Sequence, residues 1–291
     1  MKRRVAPSPG TLKQPPLIRL LRSPLLRDSR WIGAAATLLP GGSLLAWAHF
    51  VEPRRLEVTH HTHLLGEGTP PITLLHLSDL HFITDDRSAY KLVEKLQALP
   101  CDLVVLTGDL VHRGADLTRV SHLLRELPHP RMGIFTSVGN WDRWCGAPFP
   151  QWLAMLEDAH IEVLLNRWVS LPAPGRSIAL VGLDDPLSGD PDLSVLQGIP
   201  PSYQRLVLCH TPGFFPSIAA TGAHLVLSGH THGGQIRLPF TRSVWMPAGS
   251  GPFDQGWFDA RGCHLFVNRG IGMSVAPVRF LCRPEAALIR V

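Results

Sequence analysis

Beyond residue 70, short apolar runs alternate with amphipathic segments along the chain. The runs are rich in Leu, Val and Ile, which is typical of buried strands, and the amphipathic segments have helical spacing. The predicted strands of this part are 72–78, 102–108, 132–138 and 161–165, and the predicted helices are 87–99, 116–127 and 151–159. Strands that alternate with helices indicate an α/β fold.

After Pro172 the pattern changes, because strands follow one another with fewer helices between them. The predicted strands here are 177–183, 204–210, 224–230, 233–239, 263–269 and 286–291. Two mixed sheets with helices outside them are the simplest arrangement for these elements. The stretch 239–262 is rich in Gly and aromatic residues, and it is predicted to be a long loop beside the functional site.

Basic residues are concentrated at the N terminus. Residues 1–30 carry eight Lys or Arg and one Asp, which leaves 20 basic and 22 acidic side chains in the rest of the chain. The formal net charge of +5 therefore comes from the N-terminal arm. A nucleic-acid-binding domain needs a basic face on its folded body, so a nucleic acid partner is disfavoured.

An uncharged segment of 21 residues, 31–51, follows the basic arm. As a helix it would be roughly 30 Å long, which is enough to cross a bilayer. We therefore predict a transmembrane or signal-anchor segment and a membrane-anchored protein. The basic arm favours a cytoplasmic N terminus, with the folded body outside. A cleaved signal peptide and a segment lying in the membrane interface are the alternatives, so the side of the membrane stays open.

The predicted organisation has four parts. They are a basic arm (1–30), a membrane segment (31–51), a linker (52–70) and a folded domain (71–291). The linker histidines His60, His61 and His63 are interpreted as solvated rather than as a metal site. The five cysteines are widely spaced and contain no C-x-x-C pair, so we expect free thiols rather than disulfides or a structural zinc site.

Metal-binding residue types stand at the ends of five predicted strands. They are Asp79, His81, Asp109, Asn140, His210, His230 and His232. Sites on open α/β sheets lie at the carboxyl ends of strands, so we expect these side chains to lie together. Gly108 and Gly139 beside them permit tight turns. His76, inside a strand, and His224, at the start of one, are interpreted as structural.

The chemistry of this set points to two ions rather than one. A single Asp-x-His pair would usually be a hydrogen-bonded surface pair. Five short motifs with metal-binding residue types, each at the end of a predicted strand, are hard to explain as five unrelated features. Seven nitrogen and oxygen ligands without a thiolate are too many for one divalent cation. They suit two cations that share one carboxylate.

The motifs SDLH, GDL, GNWD, CH and GHTH resemble those of the calcineurin-like metallophosphoesterase superfamily. The YkuE-like branch is still more similar, because it also has an N-terminal membrane or export segment, GHTHGGQ, and an ending like 267–285. This resemblance covers about residues 55–291. It implies a four-layer α/β/β/α sandwich, with 71–291 as the metallophosphoesterase domain, and phosphoester hydrolysis.

The resemblance also implies which of these residues would bind each of the two metal ions. One metal would be held by Asp79, His81, Asp109 and His232, and the other by Asp109, Asn140, His210 and His230. Asp109 would bridge the two ions and, with Asn140, belongs to the predicted catalytic set. Mn, Fe and Zn all fit such ligands, and the sequence does not choose among them.

Trp141 departs from the family pattern, which usually has a His at this position that helps to protonate the leaving oxygen. Trp has no titratable proton to donate, and Asp142, a further predicted catalytic residue, loses its usual partner. We therefore expect a substrate whose leaving group needs little protonation, such as a pyrophosphate or an activated phosphodiester. His112 is predicted as a catalytic residue that could replace the missing acid.

Together, the membrane segment and this leaving-group argument suggest a lipid-linked substrate. UDP-diacylglucosamine hydrolases include members similar to this branch, and they release UMP. Such a substrate requires a cytosolic site, which conflicts with the charge rule. The alternatives are an exported broad-specificity phosphodiesterase or phosphatase and a non-catalytic metal-dependent protein that binds phosphorylated ligands.

Overall fold

The apolar runs of the sequence form the central strands of two six-stranded sheets in the computed structural model, which describes residues 40–65, 70–239 and 243–291. The first sheet contains β1 (Glu57–Thr62), β2 (Thr73–Leu77), β3 (Leu103–Thr107), β4 (Ile134–Ser137), β5 (Glu162–Val163) and β12 (Glu285–Arg290). The second contains β6 (Arg167–Ala173), β7 (Arg176–Gly182), β8 (Tyr203–Leu208), β9 (Leu225–Ser228), β10 (Gly256–Ala260) and β11 (Cys263–Val267).

Both sheets are mixed, as predicted. The order of the first is β1-β12-β2-β3-β4-β5, in which β2 to β5 are parallel and β12 is antiparallel to β2. The order of the second is β10-β11-β9-β8-β7-β6, with parallel pairing from β11 to β7 and antiparallel strands at both edges. The carboxyl ends of β2, β3 and β4 therefore lie at one edge of their sheet, and those of β8 and β9 at one edge of theirs.

The described helices are short. They are α1 (Pro40–Ala46), α2 (Arg87–Gln97), α3 (Leu117–Leu124), α4 (Asn140–Trp144), α5 (Phe149–Asp158) and α6 (Phe215–Ala219). The predicted helices after β2, β3 and β4 are α2, α3 and α5. Asp86 caps α2 by accepting from Ala89 N at 2.9 Å, and Asp116 caps α3 by accepting from Arg119 N at 3.2 Å.

Alternate residues of each central strand enter different core layers. In β3, Leu103 and Val105 pack between the two sheets, while Val104 and Leu106 pack under α2, α3 and α5. The outer face of the second sheet packs against α6, with Phe215 fully inside the core. Two sheets packed face to face, with helices outside both, form the predicted α/β sandwich.

Three segments differ from the prediction. Residues 57–62 of the predicted linker form β1, which pairs with β12 in the first sheet. The predicted loop 239–262 contains β10 at its end. The strand predicted at 233–239 is replaced by a turn: Gly234 and Gln235 have φ values of +80° and +56°, and Gln235 Nε2 donates to the carbonyl of Ala276 at 2.8 Å. The left-handed backbone turns the chain out of the sheet.

The predicted membrane segment is described only from residue 40; residues 31–39 and the basic arm 1–30 lie outside the described part. Helix α1 continues into a π-helical turn, Trp47–Val51. Ala48 of this turn packs with Ala276 and Val278, and its carbonyl accepts from Arg279 N at 2.8 Å. No helix among the described residues has the length and apolar character needed to span a bilayer.

Candidate metal centre

The seven predicted metal-ligating side chains converge where the two sheets meet. They follow β2, β3 and β4 in the first sheet and β8 and β9 in the second, and all are buried. The residues from the first sheet are separated along the chain from those of the second sheet by many residues. His210, for example, contacts the carbonyl of Thr107, 103 residues earlier, through its Nδ1 at 2.6 Å. The parallel strands of both sheets therefore carry the predicted ligands to one place.

A first ligand group comprises Asp79, His81 and His232, whose ligand atoms lie within 4.8 Å of one another. Asp79 Oδ1 is 3.3 Å from His232 Nε2 and 4.0 Å from His81 Nε2. The two imidazole Nε2 atoms are only 3.1 Å apart. Two ring nitrogens this close to each other and to a carboxylate form a set of donors suited to one cation.

A second ligand group comprises Asp109, His210 and His230, again with ligand atoms within 4.8 Å of one another. His210 Nε2 is 3.2 Å from Asp109 Oδ2 and 3.3 Å from His230 Nδ1. Asn140, the remaining predicted ligand, is buried, and its Oδ1 has no hydrogen-bond partner. A buried amide oxygen without a donor is costly unless something else binds it, and a cation fits that need.

Asp109 connects the two groups. Its Oδ2 lies 3.2 Å from His210 Nε2 of the second group and 3.8 Å from His81 Nε2 of the first. Its Oδ1 accepts a hydrogen bond from Trp141 N at 2.7 Å, which fixes the rotation of the carboxylate. One carboxylate oxygen thus faces both ligand groups, as a bridging ligand must.

Hydrogen bonds behind the ligands select which ring nitrogen is free to bind a metal. His210 Nδ1 donates to the Thr107 carbonyl, and His230 Nε2 donates to the Ala248 carbonyl at 2.7 Å. His210 Nε2 and His230 Nδ1, which face the other predicted ligands, are therefore the ring nitrogens left to bind a metal. Ala248 belongs to the long loop, so this loop does border the site.

Burial also holds ligands in the form that binds metal. It lowers the pKa of His81 to about 3 and that of His230 to about 4, so both rings are neutral near pH 7. Burial opposes ionisation of Asp109, but the neighbouring His210 holds the pKa of this carboxyl below its ordinary value. Burial also opposes the charging of His210, yet Asp109 raises the pKa of His210 well above normal. A bound divalent cation would displace the His210 proton.

The backbone at the site is strained. Ten described non-glycine residues have positive φ, and half of them are predicted ligands: Asp79, His81, Asp109, His230 and His232. Each such residue costs about 1–3 kcal/mol and persists only where its surroundings enforce the conformation. Close packing supplies that enforcement: a Cβ on Gly139 would lie 2.3 Å from Asp109 Oδ1, and one on Gly108 would lie 2.4 Å from Gly139 N.

Asp142 lies behind the ligands and holds their loops. Its carboxylate is fully buried and accepts four N–H groups. The donors are Asp109 N at 2.8 Å, Leu110 N at 2.8 Å, Gly139 N at 2.9 Å and Trp152 Nε1 at 3.1 Å. Burial raises the pKa of Asp142 to about 7, while the four donors favour the ionised form. The carboxylate thus ties the loop after β3 to the loop after β4.

Trp141 and His112 form the rim beside the first ligand group. Their rings stack with centroids 4.6 Å apart and an interplanar angle of 24°. His112 Nδ1 lies 3.4 Å from His81 Nδ1, and the His112 side chain is half-buried. The structure thus places the predicted substitute acid at the mouth of the site, next to a ligand, with Trp141 packed against it.

A buried arginine, Arg279, lies behind the first ligand group and was not predicted from the sequence. Arg279 is fully buried and donates to the carbonyls of Gly270 and Gly272 at 3.0 and 2.7 Å. Gly272 N in turn donates to the Asp79 carbonyl at 2.6 Å. Arg279 therefore clamps the C-terminal segment against the ligand loop. Its only signal in the sequence is its place within 267–285, the segment shared with the YkuE-like branch.

The other histidines lie outside both ligand groups. His76 is buried, with its Nε2 2.9 Å from Thr107 Oγ1, and His224 Nδ1 accepts from Arg205 N at 3.0 Å. His61 and His63 pack beside Trp257, whose Nε1 donates to His61 at 3.2 Å. His60 is exposed. The three predicted linker histidines therefore belong to the edge of the first sheet, because β1 pairs there. All five cysteines are free thiols.

A two-sheet sandwich that gathers carboxylates and imidazoles into two groups around one shared aspartate defines a class of metal-dependent phosphoesterases. Residues 72–234, more than half of the chain, match the family model of the calcineurin-like phosphoesterases. The chain belongs to this family and is a metal-dependent hydrolase.

Curated relatives cover most of the chain. The uncharacterized metallophosphoesterase YkuE of Bacillus subtilis is 31% identical over an alignment 267 positions long, which covers 87% of this chain and 91% of YkuE. The phosphodiesterase YaeI of Escherichia coli is 28% identical, with 91% of this chain and 99% of YaeI covered. The UDP-2,3-diacylglucosamine pyrophosphatase LpxG of Chlamydia trachomatis is 25% identical, with 89% and 97% covered.

Proposed function

We propose that this chain hydrolyses a phosphodiester or a pyrophosphate with two divalent cations, for which Mn, Fe and Zn are the candidates. The observation that carries the proposal is the position of Asp109, whose Oδ2 faces both ligand groups. Asp79, His81, Asp109 and His232 would hold one ion, and Asp109, Asn140, His210 and His230 the other. Hydrolysis of bis(p-nitrophenyl) phosphate that depends on added Mn²⁺ tests it.

Bound divalent ions supply Lewis acidity at the phosphate and lower the pKa of water toward neutrality. The protein contributes position: the imidazoles of His210 and His230 and the carboxylate of Asp109 are fixed by burial and by hydrogen bonds to the main chain. Asp142 acts through these loops and so has a positioning role. The strained ligand backbone is part of the same preorganisation.

The substrate preference follows from Trp141. This ring stacks on His112 and cannot itself deliver a proton to a leaving oxygen. Substrates whose leaving groups are stable as anions, such as nucleotides or aryl alcohols, need the least help. We propose His112 as the residual proton donor, since it lies at the mouth of the site next to His81.

Rates on aryl phosphodiesters should rise steeply as the pKa of the leaving alcohol falls. The change His112→Ala should lower kcat by about 10²-fold for a poor leaving group and much less for p-nitrophenolate, because only the poor one needs the proton. Steady-state kinetics on a graded series, with Trp141→His as the reciprocal variant, measures this. A flat dependence, a preference for an alkyl monoester, or equal losses on all substrates would contradict the proposal.

A lipid-linked substrate of the UDP-diacylglucosamine type is our finer proposal. LpxG is named for hydrolysis of such a compound and is similar over most of both chains. Release of a nucleotide fits the missing family histidine at Trp141. The uncharged segment 31–51 would hold the enzyme at the membrane that contains the lipid.

The full-length protein should accordingly remain with the membrane fraction after an alkaline carbonate wash, because the uncharged residues 31–47, which precede those packed on the folded body, reach the roughly 17 residues that a spanning helix needs. Immunoblotting of the washed fractions, with a known peripheral protein as the control, measures it. Recovery in the wash would contradict the anchor. A C-terminal reporter then gives the side: a cytosolic position supports a UDP-diacylglucosamine-type substrate, and an external one supports the exported phosphodiesterase.

A further inference from the structure

A cleft of about 700 Å³ opens beside the first ligand group. His81 and His112 are among its lining residues, so the cleft borders the first ligand group. Its other walls come from three parts of the chain. They are the N-terminal segment around His49 and Arg54, the stretch from the loop 80–84 into helix α2, and residues 271–277 of the C-terminal segment. Volumes of this size hold drug-sized ligands.

The walls are fixed to one another. His49 Nδ1 is 2.7 Å from the carbonyl of Pro277, and Ala48 packs with Ala276 and Val278. Glu52 is buried, and one of its carboxylate oxygens accepts from Cys282 N at 2.7 Å. The end of the predicted membrane segment, at Ala48 and His49, therefore packs on the folded domain and forms part of the cleft wall.

The lining of the cleft is amphipathic. Its apolar side chains include Leu80, Phe82, Ile83, Leu92, Met273 and Val275. Ile83 is 51% exposed, so its apolar side chain is open to a ligand that enters the cleft. Arg54, Lys91 and Lys95 supply positive charge at the exposed rim, beside a single carboxylate, Asp86. Apolar walls below a basic rim match an amphiphile with an anionic polar part.

We infer that the cleft binds an apolar chain of the substrate while the scissile phosphate lies on the metal centre. The inference rests on the proposed hydrolase function and adds two statements to it. The apolar part of the substrate lies on the side of Asp79, His81 and His232. The segment from His49 to Leu56 is part of the substrate site.

The test compares p-nitrophenyl methyl phosphate with p-nitrophenyl octyl phosphate, below the micellar concentration of the latter, using the full-length protein in detergent with Mn²⁺. Both diesters release the same alcohol and differ only in the apolar chain. Each fully buried methylene is worth roughly a three- to fourfold change in binding, so partial burial predicts a kcat/KM about 100-fold higher for the octyl ester.

Two variants and one control locate the effect. Ile83→Glu places a charge in the cleft and Val275→Trp fills it, and each should reduce the octyl-to-methyl ratio to about 10 or less. Leu64→Glu, a change at an exposed apolar residue outside the cleft, should leave the ratio unchanged. Because the ratio is internal to each variant, partial misfolding does not imitate the result.

The outcomes separate the inference from the function on which it rests. Turnover of neither diester by the unaltered protein would overturn the hydrolase proposal. Turnover of both with a ratio near one, or a high ratio that persists in both cleft variants, would overturn the cleft assignment and leave the hydrolase standing.

Discussion

Replacing Asp109 by Ala should lower kcat/KM for bis(p-nitrophenyl) phosphate by about 10⁴-fold or more. One oxygen of this carboxylate faces both ligand groups, at 3.2 Å from His210 Nε2 and 3.8 Å from His81 Nε2. In the proposed centre its loss would remove a ligand from each ion, and with it the lowered pKa of water and the charge neutralisation that two ions would provide. The measurement is Mn²⁺-dependent turnover together with metal content, which should fall below two ions per chain.

Asp102→Ala is the matched control, because Asp102 lies immediately before β3, far along the strand from Asp109. Its carboxylate accepts from Thr73 N at 2.9 Å and pairs with Arg131, outside both ligand groups. Its activity should stay within about twofold of the unaltered protein, since surface ion pairs contribute little. If Asp109→Ala kept a tenth of the activity or bound two ions, the bridging role would be wrong.

Asp142→Ala should cost about 4 kcal/mol of unfolding free energy. In the unaltered protein, four buried N–H groups donate to this carboxylate at 2.8–3.1 Å, and the substitution leaves them without an acceptor. The donors are on Asp109, Leu110, Gly139 and Trp152. Each buried donor left without an acceptor costs about 1–3 kcal/mol, and local rearrangement recovers part of the sum. Urea unfolding in the presence of a chelator measures the loss without a contribution from bound metal.

Asp116→Ala provides the comparison for that stability loss. Asp116 is an N-cap that accepts one hydrogen bond, from Arg119 N at 3.2 Å, and such a change costs about 1 kcal/mol. A loss for Asp142→Ala no larger than this would mean that water or the neighbouring loops replace the carboxylate. It would also remove the argument that Asp142 positions Asp109.

The candidate ligand residues could be selected from the sequence because strand ends are local features of a sequence. An apolar run that stops at Asp79 or at Asp109 identifies both a buried strand and the polar group at its end. The same reasoning failed at 233–239, where the composition suits a strand. There the ligand loop turns through left-handed residues, and Gln235 bonds to a distant segment that no local pattern reveals.

Residues that act through long-range contacts had no comparable signal. Arg279 is a basic residue that composition would place on the surface, yet it is fully buried against main-chain carbonyls of the segment behind Asp79. Strand β1 was not predicted because its histidines are typical of a polar linker. Its pairing with β12, a long-range contact, makes it part of the sheet.

The sequence by itself determined the two-sheet α/β architecture, the set of candidate metal ligands and their chemical type. Both the periodicity of apolar residues and the polar residue at the end of a strand can be recognised within a few consecutive residues. The motif resemblance assigned these residues to two groups with Asp109 between them, but only the tertiary structure shows that one Asp109 oxygen faces both groups and that the N-terminal segment lines a cleft beside them. Those features depend on distances between atoms more than 100 residues apart in the chain, as between His81 and His232. Such distances are set by how the two sheets pack, and no local pattern records them.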